Sequence, residues 1–227
     1  VKERSAVVRF KVVGEDAYFL AWTTTPWTLP SNVALCVSPK DTYVMVEVED
    51  GTRYILAEAL VPSVIKEEYK VVRSNTGNDL YGTEYEPLYD FAKPTKKAYY
   101  VVADSYVTLT DGTGVVHIAP AFGEDDSRVG RDNDLPFVQL VNGEGKFTKE
   151  TGNWAGTWVK DADKLVLSDL KERGLLFAAL PYEHSYPFCW RCDTPLLYYA
   201  VDTWFIKMSA LRDRLVANNN TVNWMPE

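Results

Sequence analysis

Two segments far apart in the chain carry residue types that could do chemistry together. Thr23-Thr24-Thr25-Pro26-Trp27-Thr28-Leu29-Pro30 packs four hydroxyls and two prolines into eight residues. The prolines fix the backbone, so hydroxyls and amides can converge on a bound carbonyl and a water. The second segment, Gly114 to Asp126, passes from an apolar pattern through His117 and Pro120 into the carboxylates Glu124, Asp125 and Asp126. Brought together, the two would make a small polar chamber with one anionic wall. Such a chamber suits a ligand with an ammonium group beside a short apolar side chain, a description that fits an amino acid.

Each of these residues also has an ordinary structural use. On a helix Asp125 and Asp126 would diverge by roughly 100°, so only one can face a given pocket, and both could instead cap a helix beginning near Gly123. His117 alternates as a strand residue and reads either as a satisfied structural group or as a steric and polar gauge. No serine or cysteine motif accompanies it, which argues against a nucleophile's base. Threonine is common in strands, and Thr-Pro is an ordinary turn element. Trp27 is expected to pack as core beneath the loop.

The elements that must position these groups are mostly strands. Ala6 to Val13 alternates with period two, and Tyr18 to Trp22 and Val33 to Val37 are short apolar runs. Tyr43 to Val48 and Arg53 to Leu56 flank an Asp50-Gly51 hairpin signal. Ala98 to Ala103, Gly114 to Ile118 and Phe137 to Val141 complete a strand-rich first 150 residues. Helices are expected at Gly123 to Asp132, at Asp161 to Arg173 with Asp161 as cap and Gly174 as stop, and at Ser209 to Asn218. Asn75 to Pro94 lacks a clean period and reads as a loop. The fold class is therefore mixed α/β and strand-dominated.

With 24 basic against 32 acidic residues the chain carries a net charge of -8, which argues against unaided binding of phosphate backbones. Lys93-Pro94-Thr95-Lys96-Lys97 is too short to reverse that. No apolar run is long enough to span a bilayer and Val1-Lys2-Glu3-Arg4 lacks the apolar stretch of a signal peptide, so a cytoplasmic location without membrane contact is expected. The sequence begins without Met and stops at Trp224-Met225-Pro226-Glu227, which reads as an excised piece. The aromatics from Tyr186 to Phe205 suggest a surface that packs on something outside it. Of the three cysteines, Cys36 lies in an apolar run and reads as a buried thiol. Cys189-Trp190-Arg191-Cys192 is either half of a zinc site or two free thiols in a turn.

Thr23 to Asn32, TTTPWTLPSN, and Gly112 to Asp126, GTGVVHIAPAFGEDD, resemble the two signature segments of the editing domain inserted in isoleucyl-tRNA synthetases. The resemblance covers the whole chain, including His184 to Tyr199, HSYPFCWRCDTPLLYY. Valine and leucine relatives typically carry Arg at the third place of the threonine run, where this chain has Thr25. The resemblance implies a β-barrel-like editing domain of the valine, isoleucine and leucine synthetase type over residues 1–183, with inserted helices, and an exit segment over 184–227. Its implied task is hydrolysis of valine wrongly attached to tRNA(Ile), and of valyl-adenylate. Valine and isoleucine differ by one methylene, about 1–3 kcal/mol of discrimination, a limit for which the isoleucine enzyme is itself the standard example.

By matching positions, Asp126 would anchor the substrate ammonium and His117 would gauge its size. Thr23, Thr24, Thr25 and Thr28 would hold the terminal adenosine, the ester carbonyl and the attacking water. Trp27, Ala119, Phe122 and Asn32 would complete the substrate-binding wall. Cys189 and Cys192 would supply half of a structural zinc site, completed elsewhere in the full-length enzyme, so no cofactor is expected in the isolated segment. Its implied partners are the tRNA(Ile) 3′ end carrying valine and the rest of the synthetase chain, with the segment itself monomeric. The rival readings are a non-catalytic acceptor-end or structural module, and a valine-type domain acting on threonyl-tRNA.

Overall fold

The computed structural model describes residues 2–225. Nine strands are assigned among the described residues: β1 Lys2–Lys11, β2 Tyr18–Thr23, β3 Ala34–Val37, β4 Thr42–Val48, β5 Arg53–Ala57, β6 Tyr69–Thr76, β7 Tyr100–Ala103, β8 Val115–Ile118 and β9 Leu176–Glu183. They form one curled sheet in the order β6-β4-β5-β2-β8-β3-β7, with β1 pairing β2 and β9 off that path. The helices are two single turns, α1 Val61–Val64 and α2 Gly77–Leu80, and three longer ones, α3 Glu124–Asp132, α4 Val159–Glu172 and α5 Arg212–Asn219.

Strand β2 is the hub. It pairs along its length with β1, in parallel with β5 at Tyr18 and Phe19, and in parallel with β8 at Trp22 alone. Because β5 and β8 take opposite ends of β2, the sheet splays there and curls toward a half-barrel. The fully buried side chains of Phe10, Phe19, Leu35 and Ile55 fill the concavity, closed by Val166 and Leu170 of α4. Burying each of the larger apolar side chains contributes about 1.5–3 kcal/mol, which fixes the register of the strands that bear the site.

The Asp50-Gly51 hairpin forms as expected. Gly51 takes φ +84°, the region open to glycine, and the Thr52 amide donates to Asp50 Oδ1 at 2.8 Å. Two strands escape the sequence pattern. Nearly all of β6 is exposed, so it shows no alternation of burial. The half-buried β9 contains Pro181 and pairs only with β1, the position an edge strand allows.

Phe137 to Val141 is not a strand. Residues 137 to 140 alternate in burial, but Leu140 and Val141 are both buried, and among the described residues the ladder contact there is a single bridge between Val141 and Phe147. The Asn75 to Pro94 segment is more ordered than a loop. It carries the Thr76–Asp79 capping box of α2 and the fully buried Tyr85. In α4 the cap is Trp158 rather than Asp161, which sits in the first turn, while Gly174 ends the helix at φ +70°. The expected Ser209 to Asn218 helix divides into a 3-10 turn, Met208–Ala210, and α5, with Leu211 and Leu215 exposed. Among the described residues no helix is long and apolar enough to cross a membrane.

Candidate active site

The threonine loop leaves β2 and winds into a 3-10 helix, Pro26–Ser31, whose residues are all buried. Pro26 stands where the helix needs no amide donor. The hydroxyls then form a relay. Thr25 N–H donates to Thr23 Oγ1 at 3.0 Å, while the Thr23, Thr25 and Thr28 hydroxyls follow one another at 3.4 Å. Thr28 Oγ1 donates its proton to the Thr25 carbonyl at 2.8 Å. Thr24, half-buried, takes no part in this relay.

Thr28 Oγ1 also meets His117 Nε2 at 3.0 Å. The one hydroxyl proton is committed to Thr25, so the imidazole must supply the hydrogen here, which assigns the Nε2–H tautomer. His117 Nδ1 is buried without a partner. Burial lowers the His117 pKa to about 4, and no acceptor faces the second nitrogen to offset it. His117 is thus a rigid neutral ring held against the threonine wall, its place set by β8 pairing with β3 through Leu35.

Beyond β8 the chain turns at Pro120 and enters α3. Gly123 is the cap, and Asp126 is the third helical residue. The two aspartates part company as helix geometry requires. Asp125 faces outward and pairs with Arg128 at 3.3 Å, whereas Asp126 Oδ1 folds inward and accepts from the Ala119 amide at 2.7 Å. Burial raises the Asp126 pKa to about 6, with the Ala119 amide and its own amide opposing the rise and the Asp125 charge adding to it. An inward carboxylate that is costly to ionise is poised to gain from a bound cation.

Gly123 creates the room for this arrangement. A Cβ at that position would lie 2.3 Å from Asp126 Oδ2, yet the backbone there is extended at φ -157° and open to any residue. The glycine is required by the carboxylate, not by the chain path. Sequence reasoning passed over it, although a glycine immediately ahead of an acidic helix start was a usable signal. Asp163 of α4 was also missed. Its Oδ1 accepts the Trp27 amide at 2.9 Å and clamps the threonine loop to α4. Nothing in the sequence links residues 136 positions apart.

Of the remaining residues expected at the site, Trp27, Ala119 and Phe122 pack together as its floor, with the Trp27 and Phe122 rings 5.1 Å apart edge to face. Asn32 belongs elsewhere. Its amide donates to the Ala34 carbonyl at 2.8 Å and accepts from Tyr85 at 2.6 Å, which ties it into the main core rather than into a substrate wall. Cys36 is fully buried, as expected, and burial raises its thiol pKa to about 12.

Cys189 and Cys192 share one tight turn. Asp193 N–H returns to the Cys189 carbonyl at 2.9 Å, and the Cys189 amide donates to the Thr194 carbonyl, also at 2.9 Å. Hydrogen bonds from Thr194 and from Cys189 lower the Cys192 pKa, favouring the thiolate. Among the described residues no group of three or more His, Cys, Asp or Glu is placed to hold a metal ion. The turn therefore fits a zinc ion only as a source of two thiolate ligands.

The architecture is that of a synthetase editing domain. GlLeuRS-CP1 superposes with a TM-score of 0.65 at 14% identity, covering 81% of this chain and 100% of that one. The cytosolic leucyl-tRNA synthetase editing domain of P. falciparum gives 0.60 at 9% identity, covering 80% of this chain and 100% of that one. At such identities the likeness speaks for the fold.

The sequence narrows the class. The chain is 56% identical over 228 residues to isoleucine–tRNA ligase of Clostridium novyi, 46% to that of Bacillus thuringiensis and 45% to that of Thermoplasma volcanium. All of the chain is covered each time, and it spans 22% of the length of each of these relatives. No family model matches it. Over its whole length the chain matches one segment of the isoleucine–tRNA ligases, and it has the fold of the synthetase editing domains.

Proposed function

We propose that this chain hydrolyses the ester bond of valine wrongly attached to tRNA(Ile), in the cytoplasm and as part of a longer synthetase. One observation carries the reading. The threonine loop meets strand β8 through the 3.0 Å contact of Thr28 with His117, and the turn that follows β8 directs the Asp126 carboxylate inward through the Ala119 amide. An α-ammonium would bind Asp126 in a charge-assisted pair, returning to the carboxylate the stabilisation that burial removed. The neutral ring of His117, fixed by Thr28, would limit the length of the side chain admitted, accepting valine and refusing isoleucine.

With the amino group and adenosine end held, the ester carbonyl would lie along the hydroxyls and amides of residues 23 to 28. Catalysis would then consist of orienting a water and stabilising the developing oxyanion, with no protein nucleophile. The tRNA(Ile) 3′ end and the rest of the synthetase are the partners this reading requires. In the full-length protein, Cys189 and Cys192 would donate two thiolates to a structural zinc, which would brace the exit segment. The test is single-turnover hydrolysis of valyl-tRNA(Ile). Asp126→Ala should lose about two orders of magnitude in rate, as expected for removal of an orienting charged group, while melting as a folded protein. An unchanged rate removes Asp126 from the mechanism, and a wild-type chain that binds the tRNA without consuming the ester identifies a binding module instead.

A further inference from the structure

The 3-10 helix of the threonine loop leaves one backbone amide to be satisfied from outside. Its first position is Pro26, which has no amide hydrogen, and its third, Thr28, donates to the Thr25 carbonyl at 3.0 Å. The amide between them belongs to Trp27. Thr25 at the cap offers it no side-chain acceptor, and Asp163 Oδ1 of α4 takes that place at 2.9 Å. The position of Asp163 on its own helix is equally particular. At about 100° per residue, positions 159, 163, 166 and 170 fall within about 60° of one another. Val159, Val166 and Leu170 of this stripe are fully buried, and the fourth member is an acid. A carboxylate in an apolar stripe is costly unless it is engaged. Val159 and Ala162 pack in the same apolar cluster as Trp27, so helix and loop already touch, and the bond from Asp163 gives that packing a direction.

We propose that Asp163 is a positioning residue for the hydrolysis: it caps the threonine loop from α4 and so holds the hydroxyls of Thr23, Thr25 and Thr28 in one arrangement. The inference rests on the hydrolytic reading above and deepens it, by assigning the geometry of the loop to a side chain outside the loop. Asp163 acts through the backbone rather than on the substrate. One peptide link beyond the Trp27 amide, Thr28 meets His117 Nε2 at 3.0 Å, so a shift at Trp27 is passed directly to that contact. Asp126 stands apart on α3, where it is held by the Ala119 amide. Loosening the loop should therefore slow the chemical step while leaving the grip on the substrate ammonium in place.

The experiment pairs single-turnover hydrolysis of valyl-tRNA(Ile), over a range of protein concentrations, with hydrogen exchange at the Trp27 backbone amide. Asp163→Ala removes the acceptor, and Asp163→Leu removes it while suiting the apolar stripe of α4, so the second variant carries the test should the first fail to fold. Both should lower the limiting rate about 10- to 100-fold, with the half-saturating concentration within about twofold of wild type. Exchange at Trp27 should quicken at least about tenfold in both. Asp163→Asn keeps an acceptor oxygen without the charge and should hold both readouts near wild type. Ser168→Ala, exposed on the opposite side of α4, should change neither. Wild-type hydrolysis or wild-type exchange in the folded Ala or Leu variant overturns the proposal. So does an Asn variant as impaired as those two, which would assign the effect to charge, or a raised half-saturating concentration at an unchanged limiting rate, which would make Asp163 a binding residue. A wild-type chain that consumes no valyl ester sinks the hydrolytic reading instead, and the hold of Asp163 on the loop is then decided by exchange alone.

Discussion

Asp126→Asn should make the protein more stable at pH 7 and, at the same time, inactive as a hydrolase. The folded Asp126 has a pKa raised from 3.8 to about 6, so ionising it in place costs free energy. The span of about two pH units corresponds to an upper value near 3 kcal/mol at neutral pH. The sign follows from proton uptake. A pKa raised by folding contributes stability that is complete below 3.8 and is lost as the pH rises through about 6. Asparagine mimics the protonated acid and can still accept from the Ala119 amide, so it should keep the low-pH stability throughout.

Urea denaturation from pH 4 to 7 measures this directly. The variant should match the wild type near pH 4 and exceed it by about 1–3 kcal/mol at pH 7, with the midpoint shifted and the slope against urea unchanged. His117 supplies an internal contrast. Its pKa falls from 6.5 to about 4, so it contributes stability that is present above 6.5 and lost as the pH drops through about 4. In the wild type the two groups therefore oppose each other between about pH 4 and 6, and removing Asp126 uncovers the His117 loss on acidification. A variant that is destabilised at pH 7, or that tracks the wild type at a constant offset, refutes the claim that Asp126 is an inward carboxylate costly to ionise.

Three further outcomes are expected. His117→Ala should open the chamber and allow isoleucyl-tRNA(Ile) to be cleaved; full protection of that ester in a deacylation assay rules out His117 as the gauge. Gly123→Ala places a methyl 2.3 Å from Asp126 Oδ2 without backbone strain, so the carboxylate must swing away from Ala119. Its hydrolysis rate should fall about 100-fold, while alanine at Gly143, where an added Cβ meets nothing within 4 Å, should leave the rate intact. Gly145→Ala tests the fold instead. That residue sits at φ +73° and an added Cβ would lie 2.1 Å from the Trp158 ring, so about 2–4 kcal/mol of stability should be lost in urea denaturation.

How much could be read in advance depends on how local each cause is. The alternation in Ala6 to Val13 and the Asp50-Gly51 turn were legible because strand pleat and turn geometry act over a few residues. β6 and β9 were not, because edge strands owe their existence to a partner rather than to a buried face of their own. The same partner dependence misled at Phe137 to Val141, where residues 137 to 140 alternate in burial but among the described residues no strand lies alongside.

By itself the sequence determined the residue types of the site, the divergence of Asp125 from Asp126, and the likeness to a segment of the isoleucine–tRNA ligases. The 100° step between helical neighbours and the rigidity of Pro26 and Pro30 are properties of the local chain. Tertiary structure decided which aspartate turned inward, drew Asn32 into the core with Tyr85, and brought Asp163 to the Trp27 amide. Those outcomes depend on which buried donors lack an acceptor once the sheet has curled, and burial of this kind is a property of the assembled fold.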